Sequence, residues 1–203
     1  MKKGLVMLYG DSGFTVWKNT PYGANPNAEE VLLGRDGEQA VVNHGFGGST
    51  AEEQLYYYDR AVKPWAPRAL VLQTFSNDAM AGYSPLEAVF LQTRLMEYAR
   101  RDFPGIRFYL CNSIPRLSWR AHTPARRAAT AEYNELAADY CEKHADAVLL
   151  DQTGCPLFYR DPARIGEPEN IRDELYISDN VHLNREGYEL YGKFFAEALR
   201  DVL

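Results

Sequence analysis

At 203 residues, with 46% hydrophobic and 25% charged side chains, the chain is long enough to bury a sizeable core and too apolar to be disordered. A net charge of −6, with no run of Lys or Arg longer than two, excludes the basic footprint of a nucleic-acid binder, so acidic polymers are poor partners. Three scattered cysteines, Cys111, Cys141 and Cys155, form neither a disulfide framework nor a zinc knuckle and read as reduced residues, mostly of the core.

Taken in order, the chain opens with Lys2 and Lys3 before an apolar run, as a secretory leader does. That run stops after Tyr9, too short for a leader's apolar core, and no cleavage site follows. No stretch approaches the roughly 20 apolar residues of a membrane span. The expectation is a cytoplasmic protein without a membrane partner, or a secreted one if a leader has been trimmed. Residues 5–9 are better used as the first strand, which ends at Gly10 with Asp11 and Ser12 immediately beyond. Ligands of open α/β sheets bind beyond the carboxyl ends of the strands, so Ser12 stands where a nucleophile would be useful. Alone, Gly-Asp-Ser reads first as a tight strand-to-helix turn with Ser12 as a cap.

Four further apolar segments follow, at 40–42, 69–72, 106–111 and 147–150, and the best defined are continuous rather than alternating, as strands covered on both faces should be. Between them lie amphipathic helices. One follows Ser49 or Thr50, with Leu55, Tyr58 and Val62 inward. Ser84, Pro85 and Glu87 form a capping box for another, whose inner face is read as Leu86, Val89, Phe90, Thr93 and Met96 and which Pro104 and Gly105 stop. Thr123 and Pro124 open the next, with Tyr133, Leu136, Ala137, Tyr140 and Cys141 on its apolar side. Asn184 caps the last, buried through Tyr191, Phe194, Phe195, Ala198 and Val202. The alternation predicts one domain over 1–203: a three-layer α/β/α sandwich, doubly wound with right-handed crossovers around a mostly five-stranded parallel sheet of flavodoxin-like type. Two long loops, 112–122 and 152–181, should overhang the same sheet edge as Ser12 and serve as substrate walls.

Polar residues recur at that edge. The second strand leads into Asn43, His44, Gly45, Phe46, Gly47, Gly48, Ser49 and Thr50, where Thr50 replaces the third glycine of a dinucleotide fingerprint. The next strand ends in Gln73 and Thr74 rather than an acid for a ribose, so a Rossmann site is rejected. What remains is a structural turn or a backbone N–H offered to an anion or oxyanion. The third strand runs into Phe75, Ser76, Asn77 and Asp78, either an Asx turn or an amide donor at Asn77. Near the end, Asp179 lies three residues before His182. That spacing lets a carboxylate accept the imidazole N–H and fix its tautomer. It also suits a turn cap or a metal-binding pair.

Together these blocks, in the order Ser12, Gly48, Asn77, Asp179 and His182, resemble the SGNH or GDSL-type hydrolase family over nearly the whole chain. The resemblance implies a serine esterase without cofactor or metal. Ser12 in YGDSGFTVW would be the nucleophile, and the Ser12 N–H, the Gly48 N–H of NHGFGGST and the Asn77 side chain would form the oxyanion hole. Asp179 and His182 would match Asp-x-x-His, with LNREGYELYG leading into the final helix. Phe75 departs from the family's glycine before Asn-Asp, and a side chain there would narrow the cleft or shift the oxyanion loop. The implied substrates are small-molecule or carbohydrate esters with short acyl groups such as acetyl, with a thioesterase or lysophospholipase next. Asp11, Phe46, Phe75 and Trp119, with Tyr22 and Tyr159, are the candidate substrate contacts. Arg116, Arg120, Arg126 and Arg127 cluster around a long loop and read as solvated charge before an acidic-substrate site. The competing classes are a metal-dependent hydrolase built from Asp11, His44, Asp179 and His182, for which His44 is diagnostic, and a silent flavodoxin-like binding module. Oligomeric state is not legible.

Overall fold

The computed structural model describes residues 4–21 and 23–203; Lys2, Lys3 and Tyr22, singled out above, lie outside the described residues. The strands are β1 (Val6–Gly10), the short pair β2 (Asn19–Thr20) and β3 (Gly23–Ala24), then β4 (Val41–Asn43), β5 (Ala69–Gln73), β6 (Arg107–Cys111) and β7 (Ala147–Leu150). Five of them form one parallel sheet in the order β4-β1-β5-β6-β7. Counting sheet strands alone, this is the flavodoxin-like order 2-1-3-4-5, and each matches one of the five apolar runs of the sequence. The helices are α1 (Ser12–Thr15), α2 (Ala28–Val31), α3 (Ala51–Ala61), α4 (Ser76–Ala81), α5 (Pro85–Asp102), α6 (Pro124–Lys143) and α7 (Arg185–Ala198).

Strand side chains alternate between the two faces, and the core divides accordingly. Met7, Tyr9, Leu70, Leu72, Phe108 and Leu110 pack with Tyr58 of α3, Leu95 and Met96 of α5 and Ala137 of α6. Val6, Leu8, Val71 and Tyr109 face the other way, onto Tyr188, Tyr191 and Phe195 of α7. Trp17, wholly buried just after α1, meets the rings of Tyr191 at 4.9 Å, Phe195 at 5.3 Å and Tyr188 at 5.9 Å. The last helix is thereby clamped to the segment that follows the first strand.

The helix punctuation works as the residue types require. Thr50 and Ser84 close capping boxes with Glu53 and Glu87, Thr123 caps α6 with Pro124 at its first position, and Asn184 caps α7 by accepting from the Gly187 N–H. All three cysteines are free, two of them buried.

Two expectations are corrected. On α5, Leu86 and Phe90 are 61% and 59% exposed, while the buried stripe runs through Ala88, Val89, Gln92, Leu95, Met96 and Ala99. Gln92 rotates the stripe: its amide donates to Thr74 Oγ1 and accepts from Tyr133 O–H, so a polar residue occupies a core position that hydrophobic periodicity assigns outward. The segment after β7 is not chiefly a substrate wall. It descends through four 3₁₀ turns, three of them opened by Pro156, Pro162 and Pro168, whose missing N–H groups and fixed φ favour single turns over a continuous helix. Phe158, Tyr159, Ile171, Leu175 and Tyr176 are buried against the α7 side of the core, so this segment covers the sheet and only its end reaches the edge that carries Ser12.

Phe195, wholly buried among Phe14, Trp17, Tyr191 and Phe194, tests the clamp. Phe195→Ala is expected to lower unfolding stability by about 3–5 kcal/mol in urea titrations; a loss below about 1 kcal/mol would show that α7 is held elsewhere.

Candidate active site

The site begins where β1 stops. A Cβ on Gly10 would fall 2.6 Å from the Phe14 ring and 2.9 Å from the Gln73 carbonyl, so only glycine permits the chain to turn there. Asp11 caps α1, its Oδ1 accepting from the Gly13 N–H at 2.8 Å and from Gln73 Nε2 at 3.0 Å. Ser12 is then the first residue of that turn, with a backbone N–H that has no intrahelical acceptor.

Ser12 Oγ lies 2.8 Å from His182 Nε2, across 170 residues of sequence. His182 Nδ1 lies 2.6 Å from Asp179 Oδ2. A carboxylate only accepts, so a neutral imidazole in this position carries its proton on Nδ1 and leaves Nε2 to accept from the Ser12 hydroxyl. The turn is folded for this: Asn180 adopts φ +61°, a left-handed conformation that asparagine tolerates, and Asp179 Oδ1 accepts from the Val181 and His182 N–H groups, each at 2.9 Å. Partial burial pushes the Asp179 carboxyl up, but these bonds from His182 and Val181 outweigh it and hold the group below the usual carboxylate range.

Gly48 sits in a turn closed by the Ser49 N–H donating to the Phe46 carbonyl at 3.0 Å, and its φ of +80° marks a position that only glycine takes readily. Asn77, in the first turn of α4, donates from Nδ2 to the Ser49 carbonyl at 3.0 Å, tying α4 to the Gly48 turn and leaving a second amide hydrogen. Asp78 adds a second tie through the Ala51 N–H at 2.8 Å. Ser12, Asn77, Asp179 and His182 line one solvent-open cleft of about 670 Å³. Gly48 borders it through the Asn77–Ser49 link rather than lining it.

The structure does not bring the four candidate substrate contacts into that cleft. Asp11 is buried beneath Ser12. Phe46 packs against Tyr57 at 5.4 Å in a separate depression beside His44. Phe75 turns inward and stacks on Tyr133 at 4.2 Å, so its side chain does not line the cleft. Trp119 lines the adjoining cavities, and Tyr159 is buried, donating to the Thr153 carbonyl. His44 meets the Ala61 carbonyl at 2.9 Å and the edge of Trp65, apart from Asp179 and His182. Among the described residues no three His, Cys, Asp or Glu side chains are grouped to hold a metal, so the metal-hydrolase constellation is not assembled. The walls are instead Met80, Arg116, His122 and Arg126, with small residues between. Sequence reasoning passed over Met80 and His122 and read the arginines as solvated, since nothing in their spacing separates a buried guanidinium from an exposed one.

The sequence profile of the GDSL-like lipase/acylhydrolase family matches residues 8–190. The chain belongs to this family. It is an ester hydrolase of the SGNH/GDSL type acting on small-molecule esters, and among the described residues no helix is long and apolar enough to cross a membrane. Solved structures with the same fold include a Bacteroides fragilis protein assigned as an acylhydrolase, at 17% identity and TM-score 0.74 over 99% of this chain and 90% of that one. A lipase/acylhydrolase from Enterococcus faecalis follows at 20% identity and TM-score 0.69, covering 99% and 96%. The SGNH-hydrolase family esterase AlinE4 gives 22% and 0.62, covering 100% and 98%. At such identities the likeness is one of fold. No curated protein matches the chain in sequence.

Because the folded Asp179 carboxyl is depressed, its stabilising contribution is present above its unfolded value near pH 4 and is lost as pH falls through the lower folded value. Thermal melts of wild type and Asp179→Asn should therefore differ most near neutrality and converge as pH falls through the lowered folded value; a difference independent of pH would contradict the assignment. Asp11→Ala, which removes one partner of a buried charge pair with Arg116, is expected to cost about 3 kcal/mol in the same unfolding assay.

Proposed function

We propose that the chain, acting as one domain over 1–203, hydrolyses carboxylic esters through an acyl-enzyme on Ser12. The observation that carries this reading is the unbroken hydrogen-bonded series Ser12 Oγ, His182 Nε2, His182 Nδ1, Asp179 Oδ2 at the mouth of the cleft. His182 takes the hydroxyl proton as Ser12 Oγ attacks the ester carbonyl, and Asp179 holds the ring in its tautomer and stabilises the imidazolium. The tetrahedral oxyanion is met by the N–H groups of Ser12 and Gly48 and by the free hydrogen of the Asn77 amide. Its collapse expels the alcohol, which takes the proton from His182. Water, deprotonated by the same ring, then attacks the acyl-serine and returns the acid and free Ser12.

Short acyl groups suit the site. The apolar side chains on the cleft wall are Met80, Ala121 and Val181, set among serines, a threonine and charged groups, which gives no channel for a long hydrocarbon tail. A sugar alcohol would call for an aromatic face, and the residues lining the cleft offer none, so the reading does not extend to a carbohydrate.

Steady-state kinetics on p-nitrophenyl acetate, butyrate and octanoate, with and without a chelator, test it. Ser12→Ala and His182→Ala should each lose roughly 10⁴-fold or more in kcat. Asn77→Ala should lose roughly 10²–10³-fold. Rates should fall from acetate or butyrate to octanoate and ignore the chelator. Wild-type activity in Ser12→Ala, or activity abolished by the chelator, would overturn the mechanism.

A further inference from the structure

Two guanidinium groups converge on one residue beside the nucleophile. Arg116, only 6% exposed, donates from Nη1 to Ser76 Oγ at 2.9 Å, and Arg126 donates from Nη2 to the Ser76 carbonyl at 3.1 Å. Ser76 directly precedes Asn77. Both arginines line the cleft that holds Ser12, and both also line a small inner cavity of about 30 Å³ that shares Ser76 and His122 with it. The pair of cations therefore borders both spaces.

Within this region the positive charge is undercompensated. Arg116 has one carboxylate near it, Asp11 Oδ2 at 3.6 Å, an atom that accepts no hydrogen bond. Arg126 has no carboxylate within 4 Å among the described residues, whereas Arg100, Arg120, Arg160 and Arg172 each pair with an acid. The one acid lining the outer cleft, Asp179, is engaged with His182. Burial and the neighbouring Arg116 charge hold Arg126 below the usual guanidinium range, and burial together with Arg126, Arg127 and Arg116 disfavours the charged form of His122. On a chain of net charge −6, where acids are plentiful, one buried and one half-buried guanidinium line the cleft with most of their ten N–H donors in no hydrogen bond among the described residues.

We propose that Arg126, with Arg116 behind it, binds an anionic oxygen group of the substrate, a carboxylate or phosphate carried a few bonds from the scissile ester. The planar donor forks of the two side chains suit two-oxygen anions, and a cleft walled by low-dielectric protein concentrates their field. This deepens the serine-ester reading and rests on it. It also replaces the view of these two arginines as solvated charge. Arg120 and Arg127 do not share the role: Arg120 is committed to Asp173 and to two backbone carbonyls, and Arg127 to the carbonyls of Arg120 and His122.

The test compares matched esters that differ by one anionic group. Mono-p-nitrophenyl glutarate against p-nitrophenyl butyrate places the charge on the acyl side. On the alcohol side, p-acetoxybenzoate against its methyl ester tests a carboxylate, and p-acetoxyphenyl phosphate against phenyl acetate tests a phosphate. The quantity read is the ratio of kcat/KM, anionic over neutral, after subtraction of the uncatalysed rate, so that any general loss of activity cancels. In at least one pair the wild type should favour the anion, and Arg126→Gln should lower the ratio roughly ten- to hundredfold, as expected for a hydrogen bond between charged groups. Arg126→Lys should restore part of it, and added salt should reduce it. Neutral esters turned over as well as the anionic ones in every pair, or a ratio unmoved by Arg126→Gln, would overturn the proposal while leaving the serine esterase intact. Turnover of none of the esters would overturn both.

Discussion

The site depends on a carboxylate that is almost wholly withdrawn from water. Asp11, 1% exposed, cannot be left alone there without a large desolvation cost, and the fold surrounds it with two hydrogen-bond donors and a guanidinium from three directions. The Gly13 N–H fixes the turn that presents Ser12, Gln73 Nε2 ties that turn to β5, and Arg116 brings in the loop after β6. Gln73 in turn accepts from Gln152 Nε2 at 3.0 Å and is met by the Tyr191 hydroxyl at 2.8 Å, so the same network reaches the segment after β7 and the last helix. A buried polar network of this kind is favourable only when its members are paired, which gives the strand ends one shared arrangement.

That arrangement explains how residues 170 apart in sequence meet at 2.8 Å. The parallel sheet places every strand's carboxyl end at one edge, so Ser12, the Gly48 turn and Asn77 arrive side by side by topology alone. Asp179 and His182 do not follow a strand directly. They are delivered by a long segment whose apolar residues are buried beneath α7, and by the packing of α7 itself on Trp17. Core packing on one face of the sheet thus sets the distance on which proton transfer would depend.

Much of this was legible in the sequence because the signals were local. Continuous apolar runs mark strands covered on both faces, and Ser84-Pro85-Glu87, Thr123-Pro124 and Asn184 announce helix starts through the hydrogen bonds they later make. The Ser12 and Asp179/His182 blocks stood out because their residue types and spacing answer one chemical need. The illegible parts depend on partners distant in sequence. Gln92 is a core residue only because Thr74 and Tyr133 meet it, and Leu86 and Phe90 lie outside for the same reason. Phe75 reads as a cleft residue until Tyr133 is found stacked on it. Arg116 and Arg126 read as surface charge until Ser76 and Asp11 place them in the cleft wall.

The claim that organises this account is that Ser12 Oγ becomes the covalent attachment point of the acyl group. Intact-mass and peptide mass spectrometry after exposure to a fluorophosphonate tests it most directly. The account predicts a single adduct on the peptide carrying Ser12, lost in His182→Ala because the hydroxyl is no longer activated. Modification at another residue, or none on a preparation that hydrolyses esters, would contradict it.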